Sequence, residues 1–484
     1  MRFHSGLAGD EGSRLTYAVP VARVADSGLA PALSRNRVWR NSGGLDFLPL
    51  RGLQLRVDAA SVRDLRDYGD STTIARLMRQ ERRTFLGQDV GVETQRTITT
   101  AVTATPQVGA WLRPRAAVST TFSFTRDPNG RTPVRDVGDT AGGFHLPAAF
   151  SNQRRLDLAV GVDPRRLGGK LFGDSAALAR LLGRLTNLDL SYGRTLLSSY
   201  DRVPGGPSFG YQFAIGRFDG FRSQSGRLAL AATDNSSLNA GANAALPEGM
   251  RVNMNYRRTR GITWALRLDQ QVPIRSASTE WPSANLSWSV SPGTTALGRV
   301  LTSLSAQLGY RKVATASDQP SFLGAEAPAA TSSGSERSIR PALALTWRHG
   351  VSTAFDASYA TSDQVSAGNA FHTERSQQSA SLAFVFRPPA SIVRLKHDIR
   401  AAGRYSASAN KTCLQAAGQE ACVPYVDSRQ TQMQLSLDTD LPPTLSAGFQ
   451  MAYLVNDERQ ANRKTSQLVI TAFVELHTSV GQIQ

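Results

Sequence analysis

Apolar and polar residues alternate with period two along most of this chain. In 155–163, Leu156, Leu158, Val160 and Val162 share one face, and Arg155, Asp157 and Asp163 share the other. In 251–257, Val252, Met254 and Tyr256 oppose Arg251, Asn253, Asn255 and Arg257. In 284–290, Leu286, Trp288 and Val290 oppose Asn285, Ser287 and Ser289. The pattern recurs at 303–310, 353–359, 432–438, 445–453 and 466–476. Alternation at 180° per residue marks strands with one face on an apolar phase and one on water. Roughly 16 to 18 such segments of about 8–11 residues are present, the size of a membrane-barrel strand.

Alternation alone suits a β-sandwich as well as a membrane barrel, so the connections decide. From residue 284 onward short and long ones take turns. Short turns fall at Ser291-Pro292-Gly293, His349-Gly350, Pro388-Pro389 and Leu441-Pro442-Pro443. Long polar stretches fall at 313–340, 362–377, 408–429 and 456–465. An up-and-down membrane barrel keeps this parity, with tight periplasmic turns and long outer loops. A Greek-key sandwich has no reason to. The expected fold is therefore all-β, a transmembrane antiparallel β-barrel or a large part of one. Strands facing hydrocarbon must pair every backbone polar group, so this chain or other strands must close the ring. The expected organisation is an irregular segment at 1–44, barrel strands and loops over 45–476, and a periplasmic tail at 477–484.

The first half is less regular. Strands are expected near 52–60, 95–104 and 115–125, and helices at Ile74-Ala75-Arg76-Leu77-Met78 and from Asp174 to Leu185. In the second helix Asp174 or Ser175 suits the N-cap, and Leu178, Leu181, Leu182 and Leu185 form a stripe. It reads as a surface helix in a long connection or as one packed inside a barrel. Trp264, Trp288 and Trp347 sit on or beside apolar faces and Trp281 borders one, as an interfacial aromatic belt or as ordinary core tryptophans.

Composition sharpens this reading. The 484 residues include 55 Lys and Arg against 38 Asp and Glu, a net charge of +17. Only Lys170, Lys312, Lys396, Lys411 and Lys464 are lysines, so the positive charge is arginine, spread along the chain. Nucleic-acid binding calls for a basic face with interleaved aromatics, but aromatics are 7% here and fall on apolar faces. Arginines on a barrel's wet face line a lumen, and those near the rim suit lipopolysaccharide phosphates. Cys413 and Cys422, close in sequence in a polar stretch, read as a structural loop disulfide in an oxidising compartment, or as two unrelated thiols. Met1-Arg2-Phe3-His4-Ser5-Gly6 leads into no secretory apolar region. An exported chain starting this way is expected to be a fragment or a mis-started product.

No catalytic constellation emerges. Phosphate-loop and His-Glu-x-x-His motifs are missing from the sequence. His4, His145, His349, His372, His397 and His477 are scattered, with no pair at metal-ligand spacing. Asp64 and Asp67 alternate with arginines and read as a solvated, salt-bridged loop. Gly205-Gly206-Pro207 reads as a turn. The expectation is therefore a protein without enzymatic activity, cofactor or metal.

Several stretches resemble the translocon-barrel family of the type IX secretion system, the gliding-motility proteins SprA or Sov. They are Leu188-Asp189-Leu190-Ser191-Tyr192-Gly193-Arg194-Thr195-Leu196, Pro207-Ser208-Phe209-Gly210-Tyr211-Gln212-Phe213, Tyr256-Arg257-Arg258-Thr259-Arg260, and Ser278-Thr279-Glu280-Trp281-Pro282-Ser283-Ala284-Asn285-Leu286-Ser287-Trp288. The similarity covers 45–476 and is clearest over 187–290. It implies an outer-membrane protein-export channel that passes folded cargo, attended by a plug and a smaller barrel, without catalytic residues. Members are several times longer, so the resemblance implies the C-terminal part of such a chain. The alternatives are a self-contained porin-like channel and a soluble or surface β-rich adhesin.

Overall fold

The computed structural model describes residues 2–14, 32–67, 73–85, 87–126, 133–135, 143–172, 183–224, 226–267, 270–293, 296–319, 330–366, 368–387, 398–416, 418, 421–440 and 445–476. Among these, 18 strands form one antiparallel sheet, two small hairpins pair separately, and the helices are short. The fold is all-β, as expected, and the strand number of the main sheet lies in the expected range. No described helix is long and apolar enough to cross a membrane. The chain divides into two compact units, each described by itself. The first comprises Met1–Val160, Ser191–Ser237 and Arg260–Arg275; the second comprises Gly161–Leu190, Leu238–Thr259 and Ser276–Gln484.

The first unit opens with β1 (Arg2–Arg14), β2 (Ala32–Leu50) and β3 (Leu53–Asp64). Helix α1 (Thr73–Glu81) and a hairpin of β4 (Thr84–Phe85) and β5 (Gln88–Asp89) follow, then β6 (Val92–Ala104) and β7 (Leu112–Thr125). β1, β2, β3, β6 and β7 pair antiparallel in chain order. The register sets Leu55 opposite Phe47 and Val102, and Val102 opposite Val118. Four residues along, Ile98 meets Ala59 and Phe122 on the same face. Phe47 and Val102 are exposed, whereas Ile98 and Phe122 are buried.

What buries them is the chain's own insert. After β8 (Pro147–Val162), α2 (Pro164–Phe172) and β9 (Leu185–Pro204), residues 205–230 leave the sheet. Gly205 takes φ 75°, a turn conformation that suits glycine. Ser208 Oγ then accepts the Tyr211 N–H at 3.3 Å and starts the short helix Phe209–Gln212. Tyr211, Phe221 and Ala229 of the insert cluster with Phe122, Phe150, Leu196 and Tyr200. The Phe150 and Tyr200 rings stack with centroids 4.8 Å apart, and Tyr211 meets Phe150 edge-on at 5.3 Å. Buried hydroxyls are paired: Tyr211 Oη lies 2.8 Å from Ser198 Oγ, and Tyr200 Oη donates to the Phe221 carbonyl at 2.7 Å. A smaller cluster joins Leu77 and Met78 of α1 to Val92 and Leu146.

Beyond β10 (Ser223–Gln224), β11 (Arg227–Leu228), β12 (Ala231–Ala245), β13 (Met250–Arg267) and β14 (Gln270–Val290), the second unit is a run of long hairpins. These are β15 (Leu301–Gln319), β16 (Ala330–Trp347), β17 (Ser352–Ser366), β18 (Asn369–Phe386), β19 (Ile399–Gln415), β20 (Val423–Asp440), β21 (Leu445–Glu458) and β22 (Arg463–Leu476). Each pairs antiparallel with the next.

The structure departs from the sequence expectations in several places. Residues 1–44, expected to be irregular, contain β1 and the start of β2, which pair with each other. Their apolar residues are too sparse for a period to show. The strands run 12–21 residues in the main sheet, longer than expected. Much of each expected long loop is strand: 362–377 is a hairpin turning at Gly368, and 456–465 is the paired ends of β21 and β22 around a short turn at 459–462. Both faces are polar there, so polarity alternation vanishes while the backbone ladder continues. Helix α1 is where expected. The helix expected from Asp174 falls largely outside the described residues, and Leu185 begins β9. Helix α2 was not expected. The turns at Pro388-Pro389 and Leu441-Pro442-Pro443, and the tail 477–484, lie outside the described residues.

Candidate membrane-facing surface and polar face

Registers in the second unit sort its side chains into two faces. One row of direct partners reads Leu304, Leu345, Thr353, Leu382, Gly403, Leu435, Met451 and Ile470. The next reads Ala306, Leu343, Phe355, Ala380, Tyr405, Met433, Tyr453 and Leu468. On β18–β22 two further apolar rows follow, through Phe384, Ala401, Leu437, Phe449 and Ala472, and through Phe386, Ile399, Thr439, Ala447 and Val474. Large side chains here are open: Phe355 is 44% exposed, Met433 50% and Leu468 56%. Burying one such side chain is worth about 1.5–3 kcal/mol. Leaving the large side chains of these rows about half exposed forfeits roughly 8–15 kcal/mol, as much as a typical domain's whole stability of roughly 5–15 kcal/mol. The face therefore requires an apolar cover. Because Gly403, Ala380 and Thr353 are small, it holds an open depression of about 560 Å³ between Phe355, Leu382, Tyr405 and Met433.

Aromatics border this band. Trp347, at the turn end of β16, donates to Thr353 Oγ1 at 3.0 Å, and Trp288, near the end of β14, donates to the Glu248 carbonyl at 3.0 Å. At the other edge lie Tyr405 and Tyr453, followed outward by Tyr359 and Tyr310. Trp281 and Tyr256 meet edge-on at 6.0 Å. Trp264, one of the expected belt residues, is partly buried against Phe218 in the first unit.

The opposite face is polar. Gln432, Gln434, Ser436 and Asp438 alternate with the apolar residues of β20, and Arg400 bridges Asp438 at 2.6 Å and Asp440 at 2.9 Å. A polar basin of about 650 Å³ is lined by Asn255, Asn285, Gln307, Arg311, Arg340 and Asp356. Arg311 pairs with Glu280 at 3.0 Å, and Ser379 donates to Asp356 at 2.7 Å. Such a face solvates ions and polar solutes.

Past the apolar band the hairpins continue with polar residues on both faces. Glu374 sits opposite Lys411, which sits opposite Asp427. His372 Nδ1 lies 2.6 Å from Asp363 and Nε2 3.4 Å from Glu374. Asp363, then Glu374, raise the His372 pKa from its ordinary value. Cys413, at the end of β19, is disulfide-bonded to Cys422, just before β20, with Cα atoms 5.5 Å apart. No group of three potential metal ligands occurs among the described residues.

Asp64 and Asp67 have different surroundings. Asp64 is buried and holds Arg66 through its backbone N–H at 2.9 Å and its guanidinium at 2.6 Å, while Asp67 is exposed. Asp64 thus sits in a structured strand end, not in a solvated loop. Sequence reading missed an arginine pocket in the first unit, lined among others by Arg63, Arg83, Arg96 and Arg126. Only the Glu81-Arg82-Arg83 triplet hinted at it, because the other arginines arrive from separate strands.

No family model and no curated protein matches the chain. Among solved structures, it is similar to FpvAI in its complex with pyocin S2, at 10% identity and TM-score 0.21, over 91% of this chain and 63% of that one. It is similar too to Pseudomonas aeruginosa FpvA bound to heterologous pyoverdines, at 9% identity and TM-score 0.22, over 91% of this chain and 65% of that one. The chain thus spans less than two thirds of either.

Proposed function

We propose that this chain forms part of an outer-membrane β-barrel channel, with the apolar face of its second unit against lipid and the polar face toward an aqueous path. The observation that carries this reading is the height of the apolar rows. On β21 the apolar face extends from Ala447 through Tyr453 to Val455, one position past the last shared row, where its partners are Thr431 and Ser466. At about 3.4 Å per residue that is roughly 27 Å along the strand. Tilted by about 40°, the strand spans about 21 Å of bilayer, close to the roughly 25 Å band of outer-membrane barrels. The polar hairpin extensions then stand outside the membrane, and with them the disulfide. The finer reading is a protein-export channel of the type IX translocon class, on the resemblance over 187–290. Its partners are then membrane lipid and lipopolysaccharide, secreted cargo, a plug and a small accessory barrel, and it performs no catalysis.

Fractionation of native cells tests both levels, using an antibody against residues 408–429. An outer-membrane band released only by detergent supports the channel, and a soluble band overturns it. A membrane band far above 52.1 kDa supports the translocon reading. A membrane band near 52.1 kDa favours a self-contained porin-like channel or a split subunit.

A further inference from the structure

In the first unit the ends of β3, α1, β6 and β7 converge on a pocket of about 600 Å³. This is within the usual size range of small-ligand sites. Five guanidinium groups line it, from Arg63, Arg82, Arg83, Arg96 and Arg126, against the two carboxylates of Glu81 and Glu93.

The carboxylates are already engaged. Glu81 pairs with Arg126 and accepts the Leu146 N–H at 3.2 Å. Glu93 takes Arg96 at 2.8 Å and the Ser61 hydroxyl at 3.2 Å. Arg82 is clamped by Asp89 at 2.6 Å and by the Arg66 and Leu65 carbonyls at 2.8 and 3.0 Å. Arg63 reaches only a neutral acceptor, the Val90 carbonyl at 3.2 Å, and Arg83 has no carboxylate within ion-pair distance among the described residues. Arg126 is 9% exposed, and its Nε has no hydrogen-bond partner. Two guanidinium charges are thus uncompensated, and a third group is buried with an unused donor. Arg63 is half-buried and Arg83 exposed, both facing the pocket, while the unused Arg126 Nε is buried, where an unpartnered donor is costly.

We propose that this pocket binds a phosphomonoester anion, held by Arg63 and Arg83 with Arg126 at its buried wall. A dianion matches two uncompensated guanidinium groups, where a single carboxylate matches one, and arginine's planar fork suits phosphate oxygens. The pocket shape supports the choice. Gly91 takes φ 65° and lies so close to the Asp64 carbonyl that any Cβ would collide with it. That close approach draws the start of β6, with Glu93 and Arg96, against the end of β3, with Arg63. Burial lowers the Arg126 pKa from its ordinary value; Glu81 and Glu93 oppose that shift, and Arg83 and Arg96 add to it. An anion would relieve this repulsion.

The test is calorimetric titration of the full chain in non-ionic detergent with inorganic phosphate, dihexanoyl phosphatidic acid and dihexanoyl phosphatidylcholine. Saturable one-to-one binding of either phosphomonoester is expected. Arg83→Gln and Arg63→Gln should each weaken it by about tenfold, and Arg337→Gln, which is not among the pocket's lining residues, should leave it unchanged. Tighter binding of phosphatidic acid than of inorganic phosphate identifies a lipid headgroup as the source; equal binding identifies a free phosphate. The proposal is overturned if neither phosphomonoester binds. It is equally overturned if both arginine variants bind like the parent, or if phosphatidylcholine binds as tightly as phosphatidic acid. Arg83 is exposed, so its variant keeps the fold; Arg63→Gln supplies a second, independent reading.

Discussion

The same alternation meets opposite fates in the two units. In the first, Phe122, Phe150 and Tyr200 are buried because residues 205–230 fold back over them with Tyr211 and Phe221. In the second, Phe355, Leu382 and Met433 occupy equivalent positions in the alternation and lie open. The difference lies in the connections. The insert of the first unit carries Phe209, Tyr211, Phe213, Phe218 and Phe221, enough apolar surface to cover a sheet face. The β17–β18 and β19–β20 connections of the second unit are short and offer nothing comparable. A covered face is a protein core; the open one is the face proposed to meet lipid.

The largest effect that separates these fates is at Phe221. Phe221→Ala empties a closed cluster and should cost about 3–5 kcal/mol of stability. Phe355→Ala, on the open face, should cost at most about 2 kcal/mol, because lipid fills the space and no cavity forms. Unfolding midpoints of the two variants in urea, measured in the same detergent, check this. A greater loss at Phe355 would reverse the comparison.

Next comes polarity within one strand. Leu435→Arg places a charge on the apolar face of β20 and should cost about 2–4 kcal/mol at mid-bilayer. Gln434→Arg, one residue away on the polar face, should cost less than about 1 kcal/mol. Folding titrations into bilayers read both, and equal costs would show that β20 does not have a lipid-facing side.

Of comparable size is the Cys413–Cys422 link, whose closed loop is short. Loop-closure entropy puts its contribution at about 2–3 kcal/mol. Limited proteolysis of a Cys413→Ser, Cys422→Ser variant should show faster cleavage between β19 and β20. Unchanged cleavage would mean that the flanking ladder alone holds the hairpin.

The smallest expected effect is at His372. Its pKa is raised by Asp363 and Glu374, so its stabilising contribution is fully present below the ordinary value of about 6.5. It is lost as pH rises through the folded-state value above that. Relative to His372→Asn, the parent's stability advantage should shrink from pH 6 toward pH 9. An advantage that grows with pH would contradict the ion pairs.

Much of this fold was legible in the chain. The strands at 251–257, 284–290, 353–359 and 432–438 show themselves because one face is apolar, and period two is visible wherever the faces differ. The signal fails where they do not. At 362–377 both faces are polar, so a hairpin reads as a loop. Helix α1 showed in its apolar run, while α2, with paired arginines and glycines, did not. The arginine pocket was hidden for another reason. Arg63, Arg96 and Arg126 lie tens of residues apart, and only the strand register brings them together. Sequence showed the Gly205-Gly206-Pro207 turn, but not that it lines that pocket.

The central claim is that the alternating residues of β20 divide between lipid and water. Nitroxide labels placed one at a time through Met433→Cys, Gln434→Cys, Leu435→Cys and Ser436→Cys, in reconstituted bilayers, test it most directly. Collision rates with oxygen, which concentrates in lipid, and with a water-soluble nickel chelate are read at each position. Labels at 433 and 435 should favour oxygen, and those at 434 and 436 the chelate. Four labels with the same preference, or the reverse alternation, would contradict the account.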